Sequence, residues 1–93
     1  MDIFHTEGGE LLIKALLSLE NEQECIDFLE DLLTTKEMLD MSQRMVVAKL
    51  LSEDNVYNKI VAQTGASSAT VTRVNRSYKY GNGGYKKVLS RIK

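Results

Sequence analysis

Apolar positions recur at helical spacing through most of this chain. Leu11, Leu12, Ala15, Leu16 and Leu19 cover most of the circumference of a helix over Glu10–Leu19, so that helix needs burial on more than one side. Ahead of it, Met1 to Gly9 is short of apolar residues and carries Gly8-Gly9, which predicts a flexible start. Asn21, with Glu24 three residues on, reads as a helix cap and its reciprocal carboxylate. The helix that follows runs to Leu33, with Cys25, Ile26, Leu29, Leu32 and Leu33 on one face and Glu22, Asp27, Glu30 and Asp31 on the other. Thr34 and Glu37 repeat the capping signal before the longest helix, Thr35 to Leu51. Met38, Met41 and Met45 lie in that helix and read as adaptable core filler.

The second half has a different rhythm. Val56, Ile60 and Val61 form one stripe of a short helix, and Gly65 follows where a left-handed stop is expected. Ser67 can cap the next helix at once, and Val71 and Val74, three apart, can pack down onto the first. The pattern over Val56–Val74 is that of a helix-turn-helix, with Ser68, Thr72, Asn75 and Arg76 turned outward. Gly81, Gly83 and Gly84 then mark a loop, and Val88, Leu89 and Ile92 would dock a last helix over Tyr85–Ile92. The chain therefore reads as one all-α domain, 1–93. Residues 10–52 form its amino-terminal helices, 55–78 the helix-turn-helix and 85–92 the carboxy-terminal helix.

Charge sharpens this picture. The net charge is only −1, yet all thirteen carboxylates lie at or before Asp54, against four bases there, a balance of −9. From Asn55 onward there are eight bases (Lys59, Arg73, Arg76, Lys79, Lys86, Lys87, Arg91 and Lys93) and no acid. A cationic second half is what phosphate binding requires, and the two halves can also attract each other within the fold. On the outer face of the second motif helix, short hydroxyl and amide groups can reach base edges while Arg76 reaches phosphate. The residues expected at double-stranded DNA are Ser67, Ser68, Ala69, Thr70, Thr72, Arg73, Asn75, Arg76 and Lys79. A helical protein-interaction module whose basic face docks an acidic partner would use the same surface.

Other chemistry finds little footing. Cys25 is the lone cysteine and His5 the lone histidine, so no disulfide, cysteine-based zinc site or His pair can form within the chain. Cys25 reads as a buried thiol acting as a small hydrophobe. No base accompanies a Ser or Cys nucleophile, so the chain is not read as an enzyme and no catalytic or metal-binding residue is assigned. The glycine-rich loop lacks the Gly-Lys-Ser/Thr ending of a phosphate-cradling loop. Tyr78, Tyr80 and Tyr85 interleave with lysines and could touch a nucleic-acid backbone or pack the last helix. No apolar run approaches the ~20 residues needed to span a bilayer, and the start lacks a signal-peptide layout, so a cytoplasmic protein with no membrane partner is expected. The many leucines of the amino-terminal helices exceed what a small monomer can hide, which predicts a two-fold homodimer.

From Thr34 through Ser77 the chain resembles the Trp repressor family. The pieces Ala69-Thr70-Val71-Thr72-Arg73 and Arg73-Val74-Asn75-Arg76, with Tyr80-Gly81-Asn82-Gly83-Gly84-Tyr85, resemble its YerC/YecD-like branch. The resemblance implies a six-helix fold and an intertwined homodimer that exchanges its amino-terminal helices. It also implies a transcriptional repressor whose second motif helix enters the major groove of an operator. In the Trp repressor, tryptophan wedges between two arginines. The matching positions are Arg44 and Arg73, with Thr70 and Thr34 matching pocket-lining residues and Thr72 a position on the DNA-facing helix. This chain departs at Val74, where the tryptophan binders have glycine, and a branched side chain there takes up space an indole ring needs. Tryptophan is therefore not assigned as a cofactor. Tyr57, Asn58 and Val61 also replace polar or basic residues of the repressor. Arg44 could instead pair with Asp40 at helical spacing, and Arg73 could reach a phosphate or a partner helix.

Overall fold

A computed structural model describes residues 2–92, in which six α-helices and one short 3-10 turn follow in sequence and no strand occurs. Met1, placed above in the flexible start, and Lys93, one of the eight bases, lie outside the described residues. The expected all-α, six-helix class is what the chain adopts. It divides into two compact units, one reaching to Thr35 and the other beginning at Lys36.

The first unit begins with order where flexibility was expected. Ile3–His5 forms a 3-10 turn, and Asp2 caps it by accepting from the Phe4 amide at 3.2 Å. Thr6 then caps α1 (Glu7–Ser18), its hydroxyl oxygen accepting from the Gly9 amide at 3.1 Å. Gly9 is the reason the turn can lie against the helix. A Cβ there would strike the Ile3 carbonyl and sit 2.8 Å from the Phe4 Cα. The Gly8-Gly9 pair thus marks a close backbone approach, and α1 starts three residues before the expected Glu10. Asn21 caps α2 (Glu22–Leu32), accepting from the Glu24 amide at 2.9 Å, and the Glu24 carboxylate accepts in return from the Glu20 amide at 2.9 Å. Cys25 is half-buried, short of the full burial expected of it. Within one copy this unit has little interior. Gly9 is its one buried residue among those described, while Leu11 and Leu17 are 67% and 80% exposed.

The second unit holds the core. Its frame is α3 (Thr35–Ser52), which buries Val47, Ala48 and Leu50. Met38 and Met41 are exposed and Met45 is half-buried, so within one copy the methionines are not the filler their type suggested. The helix ends in a Schellman arrangement. The Asn55 amide donates to Leu50 O at 3.2 Å, the Asp54 amide to Leu51 O at 3.1 Å, and Asp54 takes the left-handed conformation at φ 62°. The Asn55 side chain adds a second bond to Leu50 O at 2.9 Å.

Next come α4 (Tyr57–Thr64), α5 (Ser68–Tyr80) and α6 (Gly84–Arg91). Ile60 of α4, Ala66 of the turn, and Val71 and Val74 of α5 complete the buried cluster, with Leu51, Val61, Tyr85 and Leu89 packed around it. Val56 was expected on the buried stripe but is 68% exposed. It sits ahead of α4 with extended backbone, where helical periodicity no longer governs its direction. In α6, Tyr85 and Leu89 dock on the core, whereas Val88 and Ile92 are exposed. Ile92 falls beyond the last helical residue, which takes it out of the expected register.

Gly65 ends α4 at φ 72°, with open space where a side chain would stand. Gly65→Ala should therefore lose only the backbone term, about 1–2 kcal/mol, measurable by urea denaturation.

Candidate nucleic-acid interface and the cleft beside it

The corner between α4 and α5 is held by short polar bonds. The Thr64 hydroxyl donates to Ile60 O at 2.7 Å and accepts from the Ala66 amide at 3.1 Å, while Gln43 Nε2 of α3 donates to Thr64 O at 3.3 Å. These bonds satisfy the end of α4 while the chain turns through Gly65. Ser67 then caps α5 by accepting from the Thr70 amide at 3.1 Å, and its own hydroxyl donates to Thr70 Oγ1 at 3.1 Å. With Val71 and Val74 facing the core, the direction of every other α5 residue follows from the helical period.

One side of α5 is a shallow hollow lined by Ser68, Ala69, Thr72, Arg73 and Arg76. All five are exposed, α5 carries no carboxylate, and neither arginine has an ion-pair partner among the described residues. Lys79 is exposed one turn further on. The remaining members of the expected DNA-facing set lie elsewhere. Ser67 is exposed but engaged in the cap, Asn75 is half-buried although expected outward, and Thr70 is half-buried on the opposite flank of the helix. Of the three tyrosines, Tyr85 packs on the core, Tyr80 is exposed, and Tyr78 lies under Lys86, whose Nζ is 5.3 Å from the ring centroid.

That opposite flank borders a cleft of about 400 Å³ between α3, α5 and Tyr85. Arg44, Thr70 and Arg73, three of the four residues expected at a ligand pocket, line it together. Thr34 precedes α3 in the first unit, whereas every lining residue belongs to the second. Lys36, Asp40, Gln43, Val74, Ser77 and Tyr85 complete the wall. Asp40 is paired with Lys36 at 3.0 Å, not with Arg44. The sequence held a signal for most of these residues. Lys36, Asp40, Gln43 and Arg44 fall on one stripe of α3, and Thr70, Arg73, Val74 and Ser77 on one stripe of α5. Only the fold could add Tyr85.

A compact all-helical unit that presents a cationic, carboxylate-free second helix through a glycine corner has the architecture of a helix-turn-helix. Residues 8–93 match the model of the family described as Trp repressor protein, and the chain belongs to that family. It is 44% identical to the protein YerC of Bacillus subtilis (strain 168) over 95 aligned positions, covering 100% of this chain and 91% of the relative. A solved structure of a TrpR-like protein from Eubacterium eligens ATCC 27750 superposes with a TM-score of 0.92 at 47% identity, covering 99% of this chain and 95% of the other. A second, from Staphylococcus aureus, superposes with a TM-score of 0.91 at 39% identity, covering 99% and 94%. In this family setting the chain is a YerC-like DNA-binding regulator. Among the described residues no helix is long and apolar enough to cross a membrane.

Proposed function

We propose that the protein is a transcriptional repressor that binds operator DNA as a homodimer, one α5 helix entering the major groove of each half-site. The observation that carries this reading is the α5 hollow, where Ser68, Thr72, Arg73 and Arg76 are exposed together with no acid on the helix. In this reading Arg73, Arg76 and Lys79 hold phosphates, and Ser68 and Thr72 reach base edges. Asn75, half-buried, supports the helix more than it reads sequence. Support for the dimer comes from the first unit, which leaves Leu11 and Leu17 in water within one copy. Leu12, Ile13 and Leu16 of the same helix are exposed as well, and a large uncovered apolar surface marks an interaction site.

L-tryptophan is not its effector in this reading, since Val74 stands in the cleft wall where the tryptophan binders have glycine.

Selection from randomised duplexes, followed by anisotropy titration, tests the proposal. Thr72→Ala should change which sequences are preferred, and Arg76→Ala should weaken every duplex about equally. Equal affinity of the native protein for all duplexes would sink operator recognition. Absence of any duplex binding, together with capture of an acidic protein, would favour an interaction module instead.

A further inference from the structure

The last helix, α6, carries cations that the α5 surface does not use. Tyr85 and Leu89 dock it on the core, so the helical period turns Lys86, Lys87, Ser90 and Arg91 toward solvent, and all four are exposed. The stripe holds no acid and no apolar residue. The Ser90 hydroxyl is turned back onto Lys87 O at 2.7 Å, which leaves the three cations as the groups open to a partner. None of them has an ion-pair partner among the described residues. Lys87 and Arg91 stand four residues apart, about 6 Å along the axis. From Asn55 onward the sequence has no carboxylate to neutralise them.

This stripe lies away from the α5 hollow. Tyr78 follows Val74 by four positions and Val71 by seven, so it shares their core-facing side and is half-buried. Arg76, two positions earlier, points about 160° away around the helix. Lys86 Nζ sits 5.3 Å from the Tyr78 ring centroid, which fixes the start of α6 on the Tyr78 side of α5. A duplex seated against Ser68, Thr72 and Arg76 therefore leaves the α6 cations uncovered.

The make-up of the stripe selects its occupant. A lipid surface calls for apolar residues among the cations, and a protein interface for an apolar or aromatic centre. A nucleic-acid backbone asks only for closely spaced cations, and they hold it without regard to sequence. We propose that the α6 stripe is a second, sequence-independent contact for double-stranded DNA, so that a protein holding an operator through α5 captures another DNA segment through α6. The α6 contact stands on its own, whereas the bridging rests on the operator reading above. Because the two surfaces face apart, α6 adds nothing to the phosphates that α5 neutralises on one short duplex.

Two measurements on the full chain keep contact and bridging apart. In the first, an unrelated duplex is titrated by anisotropy with the variant Arg73→Gln/Arg76→Gln/Lys79→Gln, which lacks the α5 cations. Residual binding with a logarithmic salt slope near −3, from about three phosphates, is the expected result. Adding Lys86→Gln, Lys87→Gln and Arg91→Gln should cut that affinity about tenfold or more, with an unchanged circular dichroism spectrum. No residual binding, or equal binding once the α6 cations are removed, overturns the proposal. So does binding to phosphatidylglycerol vesicles in place of the duplex, or an association of copies without DNA that the α6 changes abolish. In the second, the best duplex from the selection is immobilised, loaded with protein and offered a labelled unrelated duplex. The native protein should capture the second duplex. The variant carrying only the three α6 changes should hold the selected duplex with native affinity and capture none. Absence of capture by the loaded native protein, or equal capture by the variant, overturns the bridging. If the selection yields no preferred duplex, the operator reading falls, and the first measurement alone decides the α6 contact.

Discussion

Replacing Ile60 by alanine should cost about 2–5 kcal/mol of stability, a large fraction of the about 5–15 kcal/mol that holds a domain folded. The size follows from position. Ile60 is 0% exposed at the centre of a cluster whose other members, Val47, Ala48, Leu50, Ala66, Val71 and Val74, are nearly all small. None of these can move far enough to fill the space that three lost carbons leave, because each is held by α3, α5 or the turn between α4 and α5. The loss should also reach DNA binding, since Ile60 and Val71 together set the angle at which α5 leaves the corner. Val56→Ala supplies the control. It removes a similar apolar group from the start of the same helix, but Val56 is 68% exposed, and its variant should stay within about 0.5 kcal/mol of the native protein. Urea denaturation of the two variants separates them. A similar midpoint shift for both would show that burial in the second unit does not control its stability.

The same pair of residues shows what periodicity conveys and where it stops. Ile60, Val71 and Val74 lie inside helices, so their spacing determined their direction, and all three are buried. Val56 belongs to the same apolar stripe on paper but precedes the first helical residue, and the stripe loses its meaning there. Gly65 and Ser67 were readable because each residue type suits the backbone at that point, a left-handed stop and an acceptor for an orphan amide. Gly9 was misread for the same reason that makes glycine hard to interpret. Flexibility and close approach both select it, and only the position of the Ile3 carbonyl decides between them. Asp40 was considered as a partner for Arg44 alone, although Lys36 stands four residues away on its other side. The structure pairs it with Lys36, and Arg44 is left to the cleft. Residues brought together by tertiary contact alone, such as Tyr85 in the cleft wall, leave no local trace in the sequence.

If two subunits engage one duplex, raising salt from 50 to 200 mM should weaken binding on the order of 10³-fold. Arg73, Arg76 and Lys79 are the cations that α5 offers to phosphate. Two copies would neutralise about six phosphates, and each released counterion contributes about 0.9 to the logarithmic slope, giving a slope of about −5. A single subunit would offer about three, a slope near −3 and a loss of only about 40-fold over the same range. The slope therefore counts subunits as well as contacts. Arg76→Ala should lower its magnitude by about two if both half-sites are occupied and by about one if a lone subunit binds. Leu17→Glu tests the link to the first unit. Leu17 is 80% exposed within one copy and Leu11 67%. If a partner covers that surface, a buried carboxylate there must be desolvated, subunits should separate, and the slope should fall to the single-subunit value. A slope near −3 for the native protein, unchanged by Leu17→Glu, would place one copy on the DNA and remove the two-fold operator from the mechanism.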